Sequence, residues 1–165
     1  MNTSTSQPSL DESVGRFQLD MSLTHLLHRV GQCATDAFQR YAGEQPITAR
    51  QFAVLMAIAR MDGASQMDVV KMTGIDRSTL ADMVGRMLGK GLIERQRSKL
   101  DGRAYSLSLT SAGRSALTDS VPAAAKADEF LLSGLEADKR DKLLASLSQV
   151  LGAVGPAAEP VVRQD

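Results

Sequence analysis

The sequence is poor in the residue types that several common kinds of site require. Its 165 residues include one cysteine, Cys33, which excludes an internal disulfide and a zinc site built from several thiolates. There is no tryptophan, and two tyrosines with four phenylalanines are too few for the stacked aromatic rings that hold single-stranded nucleic acid. Glycine-rich phosphate loops and nucleophile motifs are absent from the sequence. We therefore expect no enzyme activity, no cofactor and no metal site.

Long apolar runs and targeting signals are missing as well. The longest stretch without charge, residues 143–158, is interrupted by serines, glycines and a proline, and it is shorter than the ~20 apolar residues of a membrane-spanning helix. Residues 1–16 contain no basic segment followed by an apolar one, so no secretory signal is expected. The sequence predicts a cytoplasmic protein with no membrane partner.

Basic and acidic residues balance over the whole chain, with 19 of each, but they do not balance along it. The segment from Arg77 to Arg114 holds eight basic and three acidic residues. A concentrated basic segment in a neutral chain is typical of a surface that binds phosphates, although a solvated charged surface gives the same pattern. Because aromatic residues are so few, a nucleic-acid partner would be double-stranded.

Hydrophobic periodicity predicts a mostly helical protein. Apolar residues recur at i, i+3, i+4 and i+7 along several segments, which is the pattern of amphipathic helices. The predicted helices span residues 23–41, 49–61, 66–72, 77–90, 111–132 and 137–154. Side chains expected to face inward from the second, third and fourth of them are Phe52, Leu55, Ile58, Ala59, Met67, Val70, Leu80, Val84, Met87 and Leu88. Methionines interpreted as adaptable core residues are Met56, Met61, Met67, Met72, Met83 and Met87.

The middle of the chain has the spacing of a helix-turn-helix. Ser65 can cap the short helix that begins at Gln66, and Asp76 can cap the helix that follows. Between them, Gly74 can adopt the left-handed conformation that ends a helix and turns the chain sharply. Two short helices around such a turn are typical of a helix-turn-helix.

A β-hairpin is predicted directly after this motif. Residues 92–97 and 104–109 alternate between apolar and polar side chains, with Tyr105, Leu107 and Leu109 on one side. The tip between them is charged. A helix-turn-helix with such a hairpin is a winged helix-turn-helix, in which the second helix enters the major groove and the tip reaches phosphates or the minor groove. The predicted fold class is therefore mainly α with a small β-hairpin wing.

The first and last helices carry apolar stripes longer than a small winged domain can cover. An uncovered stripe of that length is an interface or an aggregation liability, so we expect a homodimer. A two-fold dimer would place two recognition helices on successive major grooves, about 10 base pairs apart. The expected segments are a tail (1–17), a dimerisation helix (18–45), the winged helix-turn-helix (46–110), C-terminal dimerisation helices (111–154) and a second tail (155–165).

Several polar residues of the helix-turn-helix are candidates for contact with double-stranded DNA. Ser65 and Gln66 could donate to a phosphate at a helix N-terminus, and Ser65 could cap the helix, a role that is compatible with that contact. The polar face of the second helix is either a base-reading surface or a solvated one. Its residues are Arg77, Ser78, Thr79, Asp82 and Arg86.

The order of elements and several local motifs resemble the MarR family of multiple-antibiotic-resistance regulators over about residues 20–154. The matching segments are FAVL at 52–55, SQ at 65–66, IDRSTL at 75–80, GLIER at 91–95, DGRA at 101–104 and LTSAGR at 109–114. The resemblance implies a DNA-binding transcriptional regulator whose Arg103 enters the minor groove, oriented by Asp101. Lys99 at the same wing tip is a further candidate DNA contact, and Ser98 departs from the aspartate usual in the family.

The resemblance also implies a small effector, often an aromatic acid or a related anion, that binds between the dimerisation helices and the winged domain. By helix position His25, His28 and Arg29 could line that cleft, with the arginine complementing a carboxylate. A metal pair at the two histidines is disfavoured because no third ligand stands beside them. These inferences favour a repressor that a ligand releases from DNA.

Cys33 leaves an alternative open. Some relatives sense peroxide through a cysteine of the first helix, but Cys33 lies well inside this helix at the edge of the apolar stripe, and we expect a buried, inert thiol. The remaining alternatives are a redox-sensing regulator based on Cys33, a helical protein-interaction module without DNA binding, and an enzyme pairing Cys33 with His25 or His28.

Overall fold

The computed structural model describes residues 18–44, 47–61, 63–97 and 105–154. Within these ranges the chain forms six α-helices and one two-stranded hairpin, preceded by a short 3-10 turn at Leu19–Met21. The elements are α1 (Leu23–Ala42), α2 (Ala49–Arg60), α3 (Gln66–Thr73), α4 (Arg77–Gly89), β1 (Ile93–Arg97), β2 (Tyr105–Leu109), α5 (Ser111–Leu132) and α6 (Ala137–Val154). The prediction of a mainly helical fold with a hairpin wing is confirmed. No helix in the described part is long and apolar enough to cross a membrane.

Side-chain caps determine where the helices begin. The predicted capping box of α2 is formed, with the N–H of Gln51 donating to Thr48 Oγ1 at 3.3 Å and the N–H of Thr48 donating to Gln51 Oε1 at 3.0 Å. Gly74, in the turn between α3 and α4, has a φ of 69°, which is the left-handed conformation that the turn was expected to need. Helix boundaries lie within one or two residues of the predicted ones because each cap is a local signal.

One buried cluster fills the winged domain. It joins α2, α3, α4, the hairpin and the first turns of α5, and its fully buried large side chains include Leu55, Val69, Leu80, Val84, Met87 and Leu107. Three expected core positions are wrong: Ala59, Met67 and Met72 are exposed. The short α3 packs through Val69, and Met67 lies about 200° away around the helix, on the outer side.

A second, smaller cluster joins α1 to α5. Ala37, Phe38 and Ala42 of α1 pack against Ala123 and Ala127 of α5. The two clusters meet at Phe52 of α2, which contacts both and whose ring centroid lies 5.6 Å from that of Phe38. The winged domain and the α1–α5 pair are therefore packed into one body.

Large apolar side chains of α1 and α6 lie on the surface of the single chain. Leu23 is 60% exposed and Leu151 is 68% exposed, and none of the residues of α6 is buried. The other exposed apolar side chains on these helices are Leu26, Leu27, Val30, Tyr41, Leu143, Leu144, Val150 and Val154. The expectation that the winged domain leaves both stripes uncovered is confirmed for the single chain.

Cys33 is exposed, so the expectation of a buried thiol is wrong for the single chain. Within α1 the buried residues are Ala37, Phe38 and Ala42, and Cys33 precedes them. Among the described residues, none in the N-terminal part of the helix is buried, and position at the edge of an apolar stripe therefore does not bury the thiol.

Candidate nucleic-acid interface

The N-terminus of α4 is organised by the carboxylate of Asp76. Its Oδ1 accepts hydrogen bonds from the N–H of Thr79 at 2.9 Å and from the hydroxyl of Ser78 at 2.7 Å. The bond from the Thr79 N–H, followed by that from Ser78, holds the pKa of Asp76 well below its usual range, because donors to a carboxylate favour its charged form. The first turn of the predicted recognition helix is thus fixed by groups of its own sequence.

The outer face of α4 is polar, as expected. Arg77, Ser78, Asp82 and Arg86 are exposed and Thr79 is half-buried, while Leu80, Met83, Val84 and Met87 are buried on the opposite face. Ser78, Asp82 and Arg86 are spaced by four residues and therefore form one row along the helix. The structure thus brings these three candidates together on a single open surface.

Small residues border this row. Ala81 and Gly85 lie one position before Asp82 and Arg86, and a Cβ built on Gly85 would meet no atom within 4 Å. Packing within the chain therefore does not require glycine at this position. Because Ala81 has a short side chain and Gly85 has none, a partner can approach the helix closely beside the polar row.

Ser65 caps α3. Its hydroxyl donates to Asp68 Oδ2 at 2.6 Å, which lowers the pKa of Asp68, and it accepts from the N–H of Asp68 at 3.2 Å. The capping role is therefore observed, and the hydroxyl hydrogen that a phosphate would need is already donated. Gln66 and Arg77, by contrast, line one small recess of ≈ 70 Å³ where α3 meets α4.

The hairpin is anchored at its base and projects at its far end. Its register pairs Ile93 with Leu109 and Arg97 with Tyr105, and the N–H of Leu107 donates to the carbonyl of Ala64 at 2.7 Å. This bridge ties the wing to the connection between α2 and α3. Tyr105 shares the face of Leu107 and Leu109 as expected, but it is 60% exposed because the strands extend beyond the core.

The sequence interpretation missed two exposed cations of β1. Arg95 and Arg97 are both exposed and, two residues apart, lie on the same face of the strand. Their spacing within the basic segment was the only sequence signal. That spacing does not indicate that the strand leaves the core at this point. The predicted wing-tip contacts Lys99, Asp101 and Arg103 lie outside the described residues.

The predicted effector residues lie on α1. His25 is half-buried, and His28 and Arg29 are exposed. None of them lines the ≈ 470 Å³ cleft that the structure forms between the start of α2 and the turn before α4. In the part of the chain that the structure describes, no three His, Cys, Asp or Glu side chains are grouped to hold a metal ion.

The sequence profile of the MarR family matches residues 45–104, a range that contains α2, α3, α4 and β1. The chain is similar to the HTH-type transcriptional repressor NicR of Pseudomonas putida, with 27% identity over 90% of this chain and 93% of NicR. It is 30% identical to the transcriptional regulator HosA of Escherichia coli, over 69% of this chain and 85% of HosA.

Two solved structures are similar to the whole arrangement. BpsR of Bordetella bronchiseptica, whose DNA binding is regulated by 6-hydroxynicotinic acid, matches with a TM-score of 0.76 and 29% identity, over 82% of this chain and 97% of BpsR. The transcriptional repressor CouR, bound to a 23-mer DNA duplex, matches with a TM-score of 0.71 and 28% identity, over 88% of this chain and 99% of CouR.

Proposed function

Because this chain belongs to the MarR family of winged-helix transcriptional regulators, we propose that it is a repressor that binds a pseudo-palindromic operator as a homodimer until a small ligand releases it. The observation that carries the proposal is the open polar row of α4. Ser78, Asp82 and Arg86 stand on one exposed face while the opposite face is anchored in the core, so their helix can enter a major groove without loss of packing.

The exposed apolar faces of α1 and α6 support the homodimer. A helix without one buried residue, such as α6, gains little from its own chain, since tertiary packing supplies most of the stability of protein helices. A two-fold partner would cover these faces. The proposed division of labour has α1, α5 and α6 in dimerisation and the segment from α2 to β2 in DNA binding.

The effector is proposed to be a small aromatic or anionic molecule. The relative BpsR responds to 6-hydroxynicotinic acid, and another structure of CouR holds p-coumaroyl-CoA. We assign His25, His28 and Arg29 of α1 to the ligand site, with Arg29 opposite a carboxylate. To release DNA, the ligand must bind the DNA-incompetent spacing of the recognition helices more tightly than the competent one.

Fluorescence anisotropy tests the DNA-binding proposal directly. The DNA upstream of the protein's own gene is titrated against a scrambled duplex of equal composition, over a series of salt concentrations. We expect the native duplex to bind more tightly and both affinities to fall steeply with salt. Equal, weak binding to every upstream fragment and its scrambled form would favour a protein-interaction module.

Charge-matched variants separate base contact from phosphate contact. Arg86→Ala and Arg103→Ala are compared with Lys139→Ala, which removes one positive charge from the exposed ion pair that Lys139 of α6 forms with Glu136. Loss of a phosphate contact lowers the salt slope by about 0.9, whereas loss of a base contact reduces the preference for the native duplex. The control is expected to change neither quantity.

A ligand series tests the effector proposal separately. Aromatic monocarboxylic acids are added to the preformed complex, and release is compared between wild type and a variant with alanine at positions 25, 28 and 29. We expect the variant to bind DNA as wild type does, and we expect that the acid no longer releases it. An unchanged response of the variant would remove these three residues from the ligand site.

A further inference from the structure

Three elements of the chain meet at the backbone of Gly91 and Leu92. After α4 ends, the N–H of Gly91 donates to the carbonyl of Leu88 at 2.9 Å, and that of Leu92 donates to the carbonyl of Met87 at 3.0 Å. Leu92 leads directly into β1. The end of the recognition helix and the start of the wing are therefore held to each other by main-chain bonds.

Thr110 ties the N-terminus of α5 to the same point. Its hydroxyl lies 2.6 Å from the carbonyl oxygen of Gly91 and 3.1 Å from that of Leu92, as a donor, and its N–H donates to the Leu92 carbonyl at 3.2 Å. The same hydroxyl accepts from the N–H of Gly113 at 3.0 Å, which caps α5. The side chain of Thr110 thus caps α5 and fixes the link between α4 and β1. We name the four residues Gly91, Leu92, Thr110 and Gly113 the wing joint.

Gly113 brings the backbones into direct contact. It is buried, and a Cβ built on it would overlap the carbonyl oxygen of Leu92 and lie 2.9 Å from its carbonyl carbon. Both are backbone atoms, which cannot move aside as the end of a flexible side chain can. Glycine at this position is therefore required by the close approach of α5 to the link between α4 and β1.

The far part of α5 reaches the proposed dimer interface. Ala123 and Ala127 pack against Ala37 and Phe38 of α1, and the N-terminal part of α1 carries the exposed apolar stripe. One helix, α5 (Ser111–Leu132), which includes Pro122, therefore connects the wing joint to the helix that would meet the second protomer.

We infer that Thr110 and Gly113 are positioning residues that set the spacing of the two DNA half-sites that the dimer accepts. The inference rests on the proposed function, since it concerns a dimer on an operator. One base pair changes the separation of the half-sites by about 3.4 Å and their relative rotation by about 35°. A rigid wing joint prevents the recognition helices from following that change. The DNA must deform instead, and this deformation costs binding free energy.

Binding to three duplexes tests this inference. An operator is obtained by in vitro selection from a randomised duplex pool, and versions with one base pair inserted or deleted between the half-sites are prepared. The proteins are wild type, Thr110→Val, which keeps the shape but loses the hydroxyl, and Thr110→Ser, which restores it. Ser111→Ala serves as control because its exposed hydroxyl lies outside the wing joint.

We expect wild type, Thr110→Ser and Ser111→Ala to bind the selected spacing about tenfold more tightly than either altered spacing. The affinities of Thr110→Val for the three duplexes are expected to lie within a factor of about three of one another. Gly113→Ala is expected to behave in the same way, provided that circular dichroism shows that it folds. A merely structural role predicts something different. Partial unfolding lowers the affinity for every duplex by the same factor and leaves the preference intact.

The outcomes of the two proposals remain distinguishable. If Thr110→Val keeps the wild-type spacing preference, the positioning role is overturned while operator binding stands. If selection with the wild-type protein recovers no common sequence and no spaced half-sites, operator recognition itself fails, and the positioning role falls with it.

Discussion

Asp76 links the folding of the recognition helix to pH. Its carboxylate accepts from the N–H of Thr79 and the hydroxyl of Ser78, and these bonds require the ionised form to be fully effective. The pKa of Asp76 is lowered in the folded chain. Its contribution to stability is therefore complete above the pKa of the unfolded chain, near 3.8, and is lost as the pH falls toward the lower folded value.

Replacement of Asp76 by asparagine should remove this pH dependence. Asparagine is a comparable N-cap but does not titrate. As the pH falls from about 5 to about 2, the midpoint of thermal unfolding of Asp76→Asn should therefore fall less steeply than that of wild type. Circular dichroism melts over this range measure the difference. Parallel curves for the two proteins would contradict the assignment, and Asp68→Asn serves to separate the second capping carboxylate.

Gly85 offers a substitution whose effects on stability and on binding have opposite signs. Alanine is better than glycine in a helix interior by about 1 kcal/mol, and a Cβ at Gly85 meets no atom within 4 Å. We expect Gly85→Ala to raise the free energy of unfolding in urea by about 0.5–1 kcal/mol. Because the new methyl group would stand beside the polar row, operator affinity should fall.

A matched glycine provides the control for this variant. Gly89 also has open space around it, but it is the last residue of α4, far from the N-terminal part that reads bases in such motifs. Gly89→Ala should leave operator affinity unchanged in anisotropy titrations. If Gly85→Ala binds the operator as tightly as wild type, the surface beside the polar row does not approach the DNA closely.

At the scale of elements, α3 contacts the core through one fully buried side chain, Val69, and one half-buried side chain, Val70. It has eight residues, and Val69 is its buried one. Short helices are marginal in water without tertiary packing, so the first helix of the helix-turn-helix is held by its capping box at one end and by Val69 and Val70 in the middle. Its exposed methionine, Met67, adds no comparable contact.

Truncation of Val69 should therefore destabilise the winged domain. Loss of two buried methyl groups costs about 2 kcal/mol, and we expect Val69→Ala to lower the free energy of unfolding in urea by that amount. Met67→Ala should change it by less than about 0.5 kcal/mol. Equal effects of the two substitutions would show that α3 packs through a different face.

The boundaries of the elements could be predicted from sequence, but the partners of the elements could not. Capping by Thr48 and Asp76 depends on residues within one turn, so the local sequence contains the signal. The bridge from Leu107 to Ala64 involves one residue outside any strand and leaves no alternation to detect. Likewise, the inward direction of α3 depends on what packs against it, and the motif around it does not distinguish Met67 from Val69.

The candidate site could be predicted to a similar depth. The polar face of α4 follows from helical periodicity, and all five of its predicted residues lie at its exposed or half-exposed surface. The capping role of Ser65 could be predicted only beside a phosphate contact, because both roles use the same residue type. Exposure of Cys33 depends on how far α5 covers α1, which periodicity within α1 does not encode.

At the scale of the whole molecule, the last helix that the structure describes lacks a buried side. None of the residues of α6 is buried, and the N-terminal half of α1 is also largely uncovered. Isolated apolar side chains are normal on protein surfaces, but a continuous stripe of them marks an interaction surface. Because operator binding is proposed to need a homodimer, we expect loss of this interface to weaken DNA binding.

A charge placed on α6 should separate the protomers without harming the fold. Leu151 is 68% exposed, so Leu151→Glu disturbs no core of its own chain. We expect this variant to be monomeric by light scattering at micromolar concentration and to lose most of its operator affinity. Gln149→Glu adds the same charge about 200° around the helix and should remain dimeric; a dimeric Leu151→Glu protein would place the interface elsewhere.

Under the proposed function, the hydrogen bond from Ser78 to Asp76 also restricts which bases the row on α4 can read. A hydroxyl whose hydrogen is already donated has only lone pairs to offer, and the carboxylate of Asp82 likewise only accepts. In the major groove the partners of such groups are the amino groups of adenine and cytosine, whereas Arg86 pairs best with guanine. Each half-site should therefore present amino hydrogens to Ser78 and Asp82, so that a cap inside the protein becomes a preference in the DNA.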